Sequence, residues 1–342
     1  MGASGKLQDL ENPEIIDENT SVRELILRST RRVIERAQNV QLNSERIADF
    51  AKRAEKDLNR PPAWDKVRHF SDGEEQTAQW IFVLDSLNFS FWAEEGLPRW
   101  KILWQGEDVK GYWALACSLN LAMTKGLPIT DAGCLERIDA KTLRNILDGS
   151  GDVPMIEQRA KVLNEIGAVL KDKYDGSFVH LLEEAGHSAE NVVRLVANNF
   201  PCFNDVATYD GETVYLLKRA QILVSDLWGA FDAKDLGAFS DMHRLTAFAD
   251  YKLPQVLRSA GILQYNADLA RKVDSLELLA AGSHEEIEIR AATICAVEEL
   301  VSRLAERGRK LPAFMVDWWL WDISHEEAHE DRPHHRTRTI FY

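Results

Sequence analysis

Several features are missing from this 342-residue sequence, and each absence excludes a class of protein. The four cysteines are scattered and form no Cys-x-x-Cys pair, so neither a disulfide framework nor a zinc ribbon is indicated, and a reducing, cytoplasmic compartment is favoured. No apolar run approaches the roughly 20 residues that span a bilayer, and residues 1–20 contain no apolar signal core. Basic residues are in the minority, with 41 Lys and Arg against 55 Asp and Glu, and the net charge of −14 argues against binding to long nucleic acids.

Internal repeats and long Gly/Ser-rich linkers are also absent, whereas helical periodicity covers most of the chain. Ser21-x-x-Glu24 has the spacing of a capping box, and Asn43-Ser44 marks a second helix start. Further helical segments are 113–125, 136–148, 154–172, 188–199, 218–231 and 284–308. Two short hairpins are predicted, 100–104 with 109–113 and 206–209 with 213–217. We therefore predict a mostly α fold, a single helical domain over residues 21–342 with minor β hairpins, preceded by a flexible N-terminal arm at residues 1–20.

Aromatic residues and acids are concentrated in the segment Asp317–Asp322 (DWWLWD). Trp319 and Trp321 are expected to fill the core, as aromatic clusters usually do. The two flanking carboxylates need another explanation, because isolated buried acids are costly. On a helix they lie about 140° apart, so both line one pocket only where the helix ends or the pocket mouth is wide. Aromatic surface beside carboxylates suits a flat ligand that is cationic or rich in N–H groups.

A literal His-Glu-x-x-His motif runs from His325 to His329, with His335 at the position of a third metalloprotease ligand. Arg332 stands where the turn to that ligand requires glycine, and the segment is too polar for a buried active-site helix. We therefore expect a solvated helix and no metal site.

Six segments carry a resemblance to a known family, and they occur in the same order. They are Leu87–Trp92 (LNFSFW), Gly111–Trp113 (GYW), Lys218–Ile222 (KRAQI), Phe248–Gln255 (FADYKLPQ), Glu286–Arg290 (EIEIR) and Asp317–Asp322 (DWWLWD). Together they resemble the queuosine salvage protein family from about residue 20 to Tyr342. The resemblance implies a fold similar to helix-hairpin-helix DNA glycosylases. It also implies hydrolysis of the N-glycosidic bond of queuosine 5′-monophosphate to release queuine, without a cofactor or metal.

The resemblance also implies roles for individual residues. Asp250 matches the family's catalytic aspartate, a nucleophile or a stabiliser of the transition state. The substrate base is expected to contact His69, Phe248, Asp317, Trp318 and Asp322. The implied partners are a small-molecule nucleotide and queuine, with no stable nucleic-acid or membrane partner, and we expect a monomer.

The residues themselves leave alternatives open. Asp250 precedes a predicted helix and is also suited to cap it, and Phe248 is also suited to core packing. Lys218 and Arg219 oppose the dipole at the start of a helix, which makes them candidates for phosphate binding. A non-catalytic queuine carrier and a base-flipping relative of DNA glycosylases remain the alternative functions.

Overall fold

Helices make up more than half of the computed structural model, which describes residues 15–58, 63–94, 96–325 and 332–342. The α-helices are α1 (Val22–Arg36), α2 (Ser44–Asp57), α3 (Glu75–Ser86), α4 (Tyr112–Thr124), α5 (Ala132–Leu135), α6 (Ala140–Leu147), α7 (Ile156–Lys173), α8 (Phe178–Ala185), α9 (Ala189–Asn199), α10 (Lys218–Ala230), α11 (Lys252–Ser259), α12 (Ala267–Asp274), α13 (His284–Glu306) and α14 (Ala313–Ile323). The strands are β1 (Val40–Leu42), β2 (Lys101–Trp104), β3 (Glu107–Lys110), β4 (Val206–Tyr209), β5 (Glu212–Tyr215) and β6 (Leu263–Tyr265). The predicted mostly α fold is confirmed; its likeness to helix-hairpin-helix glycosylases stays a prediction.

The predicted helix starts are confirmed by their caps. The Ser21 side chain accepts a hydrogen bond from the backbone N–H of Glu24, and Asn43 accepts one from Arg46. Each cap satisfies an N–H group that has no partner within its own helix.

Both predicted hairpins are present, as antiparallel pairs β2–β3 and β4–β5. The turn residues Gln105-Gly106 and Asp210-Gly211 all have positive φ, as a two-residue hairpin turn with the favoured twist requires. The first hairpin is shorter than predicted at its far end, because Gly111 at φ +62° turns the chain directly into α4.

A third strand pair, β1 with β6, was not predicted, and it joins segments more than 200 residues apart in sequence. Glu288 of α13 fixes the chain where it enters β1. Its carboxylate accepts backbone N–H groups of Gln38, Asn39 and Val40, at 3.2, 2.7 and 3.1 Å. This buried carboxylate is therefore fully used in fixing the fold.

The apolar core forms three clusters. The largest contains Phe82, which stacks on Phe178 at 4.3 Å, and the second is built on α2, α11, α13 and α14. The third is small and consists of Trp92, Tyr251 and Tyr342. Within the described ranges, no helix is both long and apolar enough to cross a membrane.

Contacts at the N-terminal side begin before α1. Ile16 is buried, and its backbone N–H and carbonyl each pair with the side chain of Asn198 at 2.9 Å. Residues 1–14 lie outside the described residues, so the division into an arm and a domain stays a prediction.

Candidate active site

A cavity of about 510 Å³ lies where the three apolar clusters meet. We call it the central cavity. It is lined from six parts of the chain: residues 63–69, residues 88–91 with Arg99, residues 110–113, one face of α10, residues 248–253, and α14 with His325 and Tyr342. All of the residues predicted to form the site line this cavity: His69, Phe248, Asp250, Asp317, Trp318 and Asp322. The structure thus brings together residues separated by up to about 250 positions.

Asp250 lies at the end of a buried loop and caps α11. Its Oδ1 accepts the backbone N–H groups of Lys252 and Leu253, at 2.7 and 2.9 Å. No described residue hydrogen-bonds its second oxygen, Oδ2, and Asp250 lines the central cavity while only 8% exposed. Asp250 can therefore cap α11 and present a group to the cavity at the same time, because Oδ1 serves the cap and Oδ2 is available to the cavity.

The loop that carries Asp250 is fixed at successive residues. The Thr246 N–H donates to Gln221 at 2.8 Å, and the Phe248 N–H donates to Asp317 Oδ1 at 2.6 Å. The carbonyl of Ala249 accepts a hydrogen bond from Arg290 Nε at 3.0 Å. Since the backbone on both sides of Phe248 is held by buried side chains, Asp250 has little freedom to move.

Arg290 belongs to a buried ionic network that joins this loop to α10. Its guanidinium makes a bidentate pair with Asp205, at 2.9 and 2.6 Å, and lies over the ring of Tyr342 at 4.2 Å. Asp205 Oδ2 also accepts the backbone N–H of Lys218 at 3.1 Å. One arginine–carboxylate pair therefore sets the position of Lys218 relative to Asp250.

One face of α10 forms a wall of the cavity. Lys218, Ile222 and Asp226 are spaced four residues apart and all line it. Burial lowers the pKa of the Lys218 ammonium, while the nearby carboxylates of Asp250 and Asp85 oppose that shift. Its Nζ donates to the carbonyl of Asn88 at 3.4 Å.

Arg219, the other half of the predicted phosphate-binding pair, does not line the cavity. Its guanidinium is buried and donates to the backbone carbonyls of Ser86 and Cys202. The prediction is therefore wrong for Arg219, because successive helical residues point in directions about 100° apart.

Asp317 and Asp322 both line the cavity because α14 ends one residue after Asp322. Asp317 is buried, and desolvation raises the pKa of its carboxyl well above its ordinary value despite the hydrogen bond from Phe248. Asp322 remains exposed at the mouth, where neighbouring side chains displace enough water to raise its pKa as well.

His69 is buried and neutral. Burial lowers its pKa to about 4. Its Nδ1 lies 2.8 Å from the carbonyl oxygen of Asp65, which only accepts, so Nδ1 carries the hydrogen. Nε2 then accepts the hydroxyl hydrogen of Tyr112 at 2.8 Å. With both nitrogens engaged and its ring stacked on Trp64 at 3.9 Å, His69 forms part of an aromatic wall.

Trp318 approaches a glycine closely on the same side of the cavity. A Cβ added at Gly229 would lie 2.8 Å from the outer edge of the Trp318 ring and 3.3 Å from Cβ of Trp64. Any larger residue at 229 would force one of these two rings, both of which line the cavity, to shift.

The other tryptophans of α14 divide between core and cavity. Trp319 is buried against Phe50, with ring centroids 5.3 Å apart, which confirms the core prediction. Trp321 is half-buried: it packs against the second cluster, as predicted, and it also lines the cavity beside Trp113, with ring centroids 5.8 Å apart, which was not predicted.

The His-Glu-x-x-His segment falls partly outside the described residues, which include His325 and His335 but not Glu326 or His329. His335 is buried, and its Nε2 lies 3.3 Å from the hydroxyl of Tyr342. Within the described ranges no group of three His, Cys, Asp or Glu side chains is arranged to hold a metal ion.

The charges that line the cavity differ from those of the whole protein. The lining carboxylates are Asp65, Asp226, Asp250, Asp317 and Asp322, and the lining cations are Arg68, Arg99, Lys110, Lys218 and Lys252. Arg99 and Lys110 are exposed and stand at the mouth. A protein with a net charge of −14 thus has a cavity that can accept an anionic group.

Sequence reasoning missed Asp226, Trp64 and Arg290 as parts of this site. The four-residue spacing of Lys218, Ile222 and Asp226 was a readable signal of one helix face, but nothing in it indicated that this face meets a cavity.

Comparisons with known proteins place this arrangement in context. The family model described as queuosine salvage protein matches residues 68–342. A protein of Sphaerobacter thermophilus named queuosine 5′-phosphate N-glycosylase/hydrolase is 49% identical over 317 residues, covering 93% of this chain and 97% of its own length. Proteins with the same name from Nematostella vectensis and Mus musculus are each 38% identical, covering 81% and 79% of this chain and 85% and 83% of their own lengths.

Proposed function

The chain belongs to the queuosine salvage protein family, and on that basis we propose that it hydrolyses the N-glycosidic bond of queuosine 5′-phosphate, releasing queuine and ribose 5-phosphate. The observation that carries the proposal is the position of Asp250. A buried carboxylate that lines a cavity, with one oxygen fixed by a helix end and the other without a hydrogen-bond partner among the described residues, is suited to face a sugar carbon that becomes positively charged.

Cleavage of the bond leaves an oxocarbenium-like sugar. The carboxylate of Asp250 stabilises that charge or bonds to the anomeric carbon, and water completes the hydrolysis. Its fixed position matters because a preorganised charge needs no rearrangement when the bond breaks. The network from Arg290 to Asp205 supplies this preorganisation.

Queuine is a 7-deazaguanine, so it lacks the N7 atom at which guanine is ordinarily protonated. The departing base must be stabilised through its remaining polar edges. The N–H groups of the base call for acceptors such as Asp317 and Asp322, and Phe248 and Trp318 offer ring faces for stacking. The secondary amine on the queuine side chain is protonated at neutral pH and suits acids and aromatic faces.

The cations Arg99 and Lys110 at the mouth suit the 5′-phosphate. With the base inside and the phosphate at the mouth, the substrate is a free nucleotide rather than intact nucleic acid, in agreement with the net charge of −14. We further propose that the protein works as a cytoplasmic monomer; sedimentation of the purified protein and cell fractionation test these two points.

The activity is tested by incubating purified protein with queuosine 5′-phosphate and detecting queuine and ribose 5-phosphate by mass spectrometry. Release of both products supports the proposal, and tight binding of queuine without product would identify a carrier instead. Salt-sensitive binding to duplex DNA, measured in parallel, would favour the base-flipping alternative.

A further inference from the structure

Asp226 is a buried acid of the central cavity to which the foregoing chemistry gives no role. It lies eight residues beyond Lys218 on the same face of α10, about 12 Å further along the helix axis at 1.5 Å per residue. Asp250 is near enough to Lys218 for its carboxylate to oppose the lowering of the Lys218 pKa by burial. Asp226 is therefore displaced from the sugar-facing end of the cavity, with room between for a bicyclic base.

The titratable groups that act on Asp226 come from four helices. They are Asp85 of α3, Tyr112 of α4, Lys218 of α10 and Asp317 of α14. Asp226 is 4% exposed, and burial followed by the nearby charge of Asp85 raises the pKa of its carboxyl well above the ordinary value. Lys218 opposes the shift without cancelling it, so burial favours the protonated form of Asp226.

Asp85, whose charge acts on Asp226, does not line the cavity. Its Oδ1 accepts a hydrogen bond from Asn88 at 3.1 Å, while Oδ2 is buried and has no hydrogen-bond partner among the described residues. Burial raises the pKa of Asp85 to about 7. Asp226 and Asp85 are thus two buried acids with raised pKa values, of which only Asp226 lines the cavity.

A neutral carboxylic acid has one O–H donor and one carbonyl acceptor side by side. The lactam edge of a guanine-like base has the complementary pair, an oxygen acceptor beside an N–H donor. A carboxylate lacks the donor and matches only an edge with two N–H groups. The neutral acid of Asp226 therefore suits the lactam edge, whereas Asp322, which is exposed at the mouth, suits the protonated amine of the queuine side chain.

We propose that Asp226 pairs with the lactam edge of the base and transfers its proton to the base oxygen as the glycosidic bond breaks. This inference rests on the proposed function and names the acid in that reaction. The electron pair of the bond between C1′ and the base nitrogen moves into the base. The base oxygen takes the proton, and the base leaves as a neutral enol that returns to the lactam form. Asp226 is left as a carboxylate and regains a proton after water has added to C1′ and released one.

The test is Asp226→Asn in the full-length protein. An amide has the same shape and also offers a donor beside an acceptor, so queuine should bind within a few-fold of the wild-type affinity. Since an amide cannot transfer the proton, kcat for queuosine 5′-phosphate should fall by roughly 100- to 1,000-fold. The matched control is Asp49→Asn, an exposed acid of α2, which should retain the wild-type kcat.

The pH dependence gives a second readout. The wild-type kcat should fall as the pH rises through the raised pKa of Asp226, and this alkaline fall should be missing from the residual activity of Asp226→Asn. A kcat within a few-fold of wild type, or an equal loss of queuine affinity and turnover, would overturn the proposal. If the variant does not fold, a wild-type kcat that stays constant through the alkaline range would overturn it just as well. A wild-type protein that releases no queuine would instead refute the proposed function itself.

Discussion

Replacing Asp250 with asparagine removes a negative charge from the central cavity while leaving the cap of α11 in place. The amide oxygen can still accept the N–H groups of Lys252 and Leu253, and asparagine is about as good a helix cap as aspartate. The free energy of unfolding should therefore change by less than about 1 kcal/mol. Any large loss of activity then reports the charge and not the fold.

The expected loss follows from the charge interaction in the transition state. A unit positive charge on the sugar about 4 Å from the carboxylate, at an effective dielectric constant of about 20, is stabilised by about 4 kcal/mol. Loss of that interaction corresponds to roughly a thousandfold decrease in rate. Because the interaction arises only as the bond breaks, kcat should fall while the affinity for queuine stays nearly constant.

The assay is steady-state release of queuine from queuosine 5′-phosphate, with a thermal unfolding curve for each protein. Asp250→Ala serves as the matched comparison, since it removes both the charge and the cap and should also lose roughly 0.5–2 kcal/mol of stability. A decrease in kcat of less than about tenfold for Asp250→Asn would refute the electrostatic reasoning.

Three other perturbations test the parts that hold the site together. Arg290→Lys keeps the positive charge but loses the bidentate pair with Asp205 and the hydrogen bond to the Ala249 carbonyl. Because Asp250 is then held less firmly, kcat should fall by roughly 100-fold with a smaller change in KM. Unchanged kinetics would show that the network does not position Asp250. Gly229→Ala should raise KM and lower the free energy of unfolding by about 1–3 kcal/mol, because the added methyl group meets the Trp318 ring. Trp318→Phe in the same chain should restore part of that stability. If the two substitutions cause additive losses in a double-mutant cycle, the contact does not account for the effect. His69 is neutral in the folded protein, where its pKa is about 4, but has an ordinary pKa near 6.5 in the unfolded chain. As the pH falls from about 6.5 to about 4, His69 gains a proton in the unfolded chain but not in the folded protein. The free energy of unfolding should therefore decrease over that range, by roughly 3 kcal/mol from this residue. Chemical denaturation of His69→Gln across that range should show a shallower acid loss than the wild type, and parallel curves would count against a buried neutral histidine.

Elements specified by neighbouring residues were predictable from the sequence. The capped starts of α1 and α2 and the two hairpin turns depend on side chains within a few positions, and each was predicted close to its observed place. Five of the six predicted site residues stand in short motifs that occur in a fixed order, with His69 as the exception, and the structure places all six in one cavity.

Other features were decided only when distant segments packed together. The pair β1–β6 joins segments more than 200 residues apart, and local periodicity contains no information about such partners. The same limit explains Trp321 and Arg219. The sequence shows an aromatic residue and a cation, whereas the packing of α14 and α10 decides which of them meets the cavity.

The sequence by itself determined the helical character of the chain, its turns and its membership of a family, because those depend on residue type and short spacing. Only the tertiary structure decided that burial raises the pKa of Asp226, that His69 is neutral, and that Oδ2 of Asp250 has no hydrogen-bond partner among the described residues. The physical reason is that ionisation and hydrogen bonding depend on how much water the surrounding segments exclude, and those segments come from the whole length of the chain.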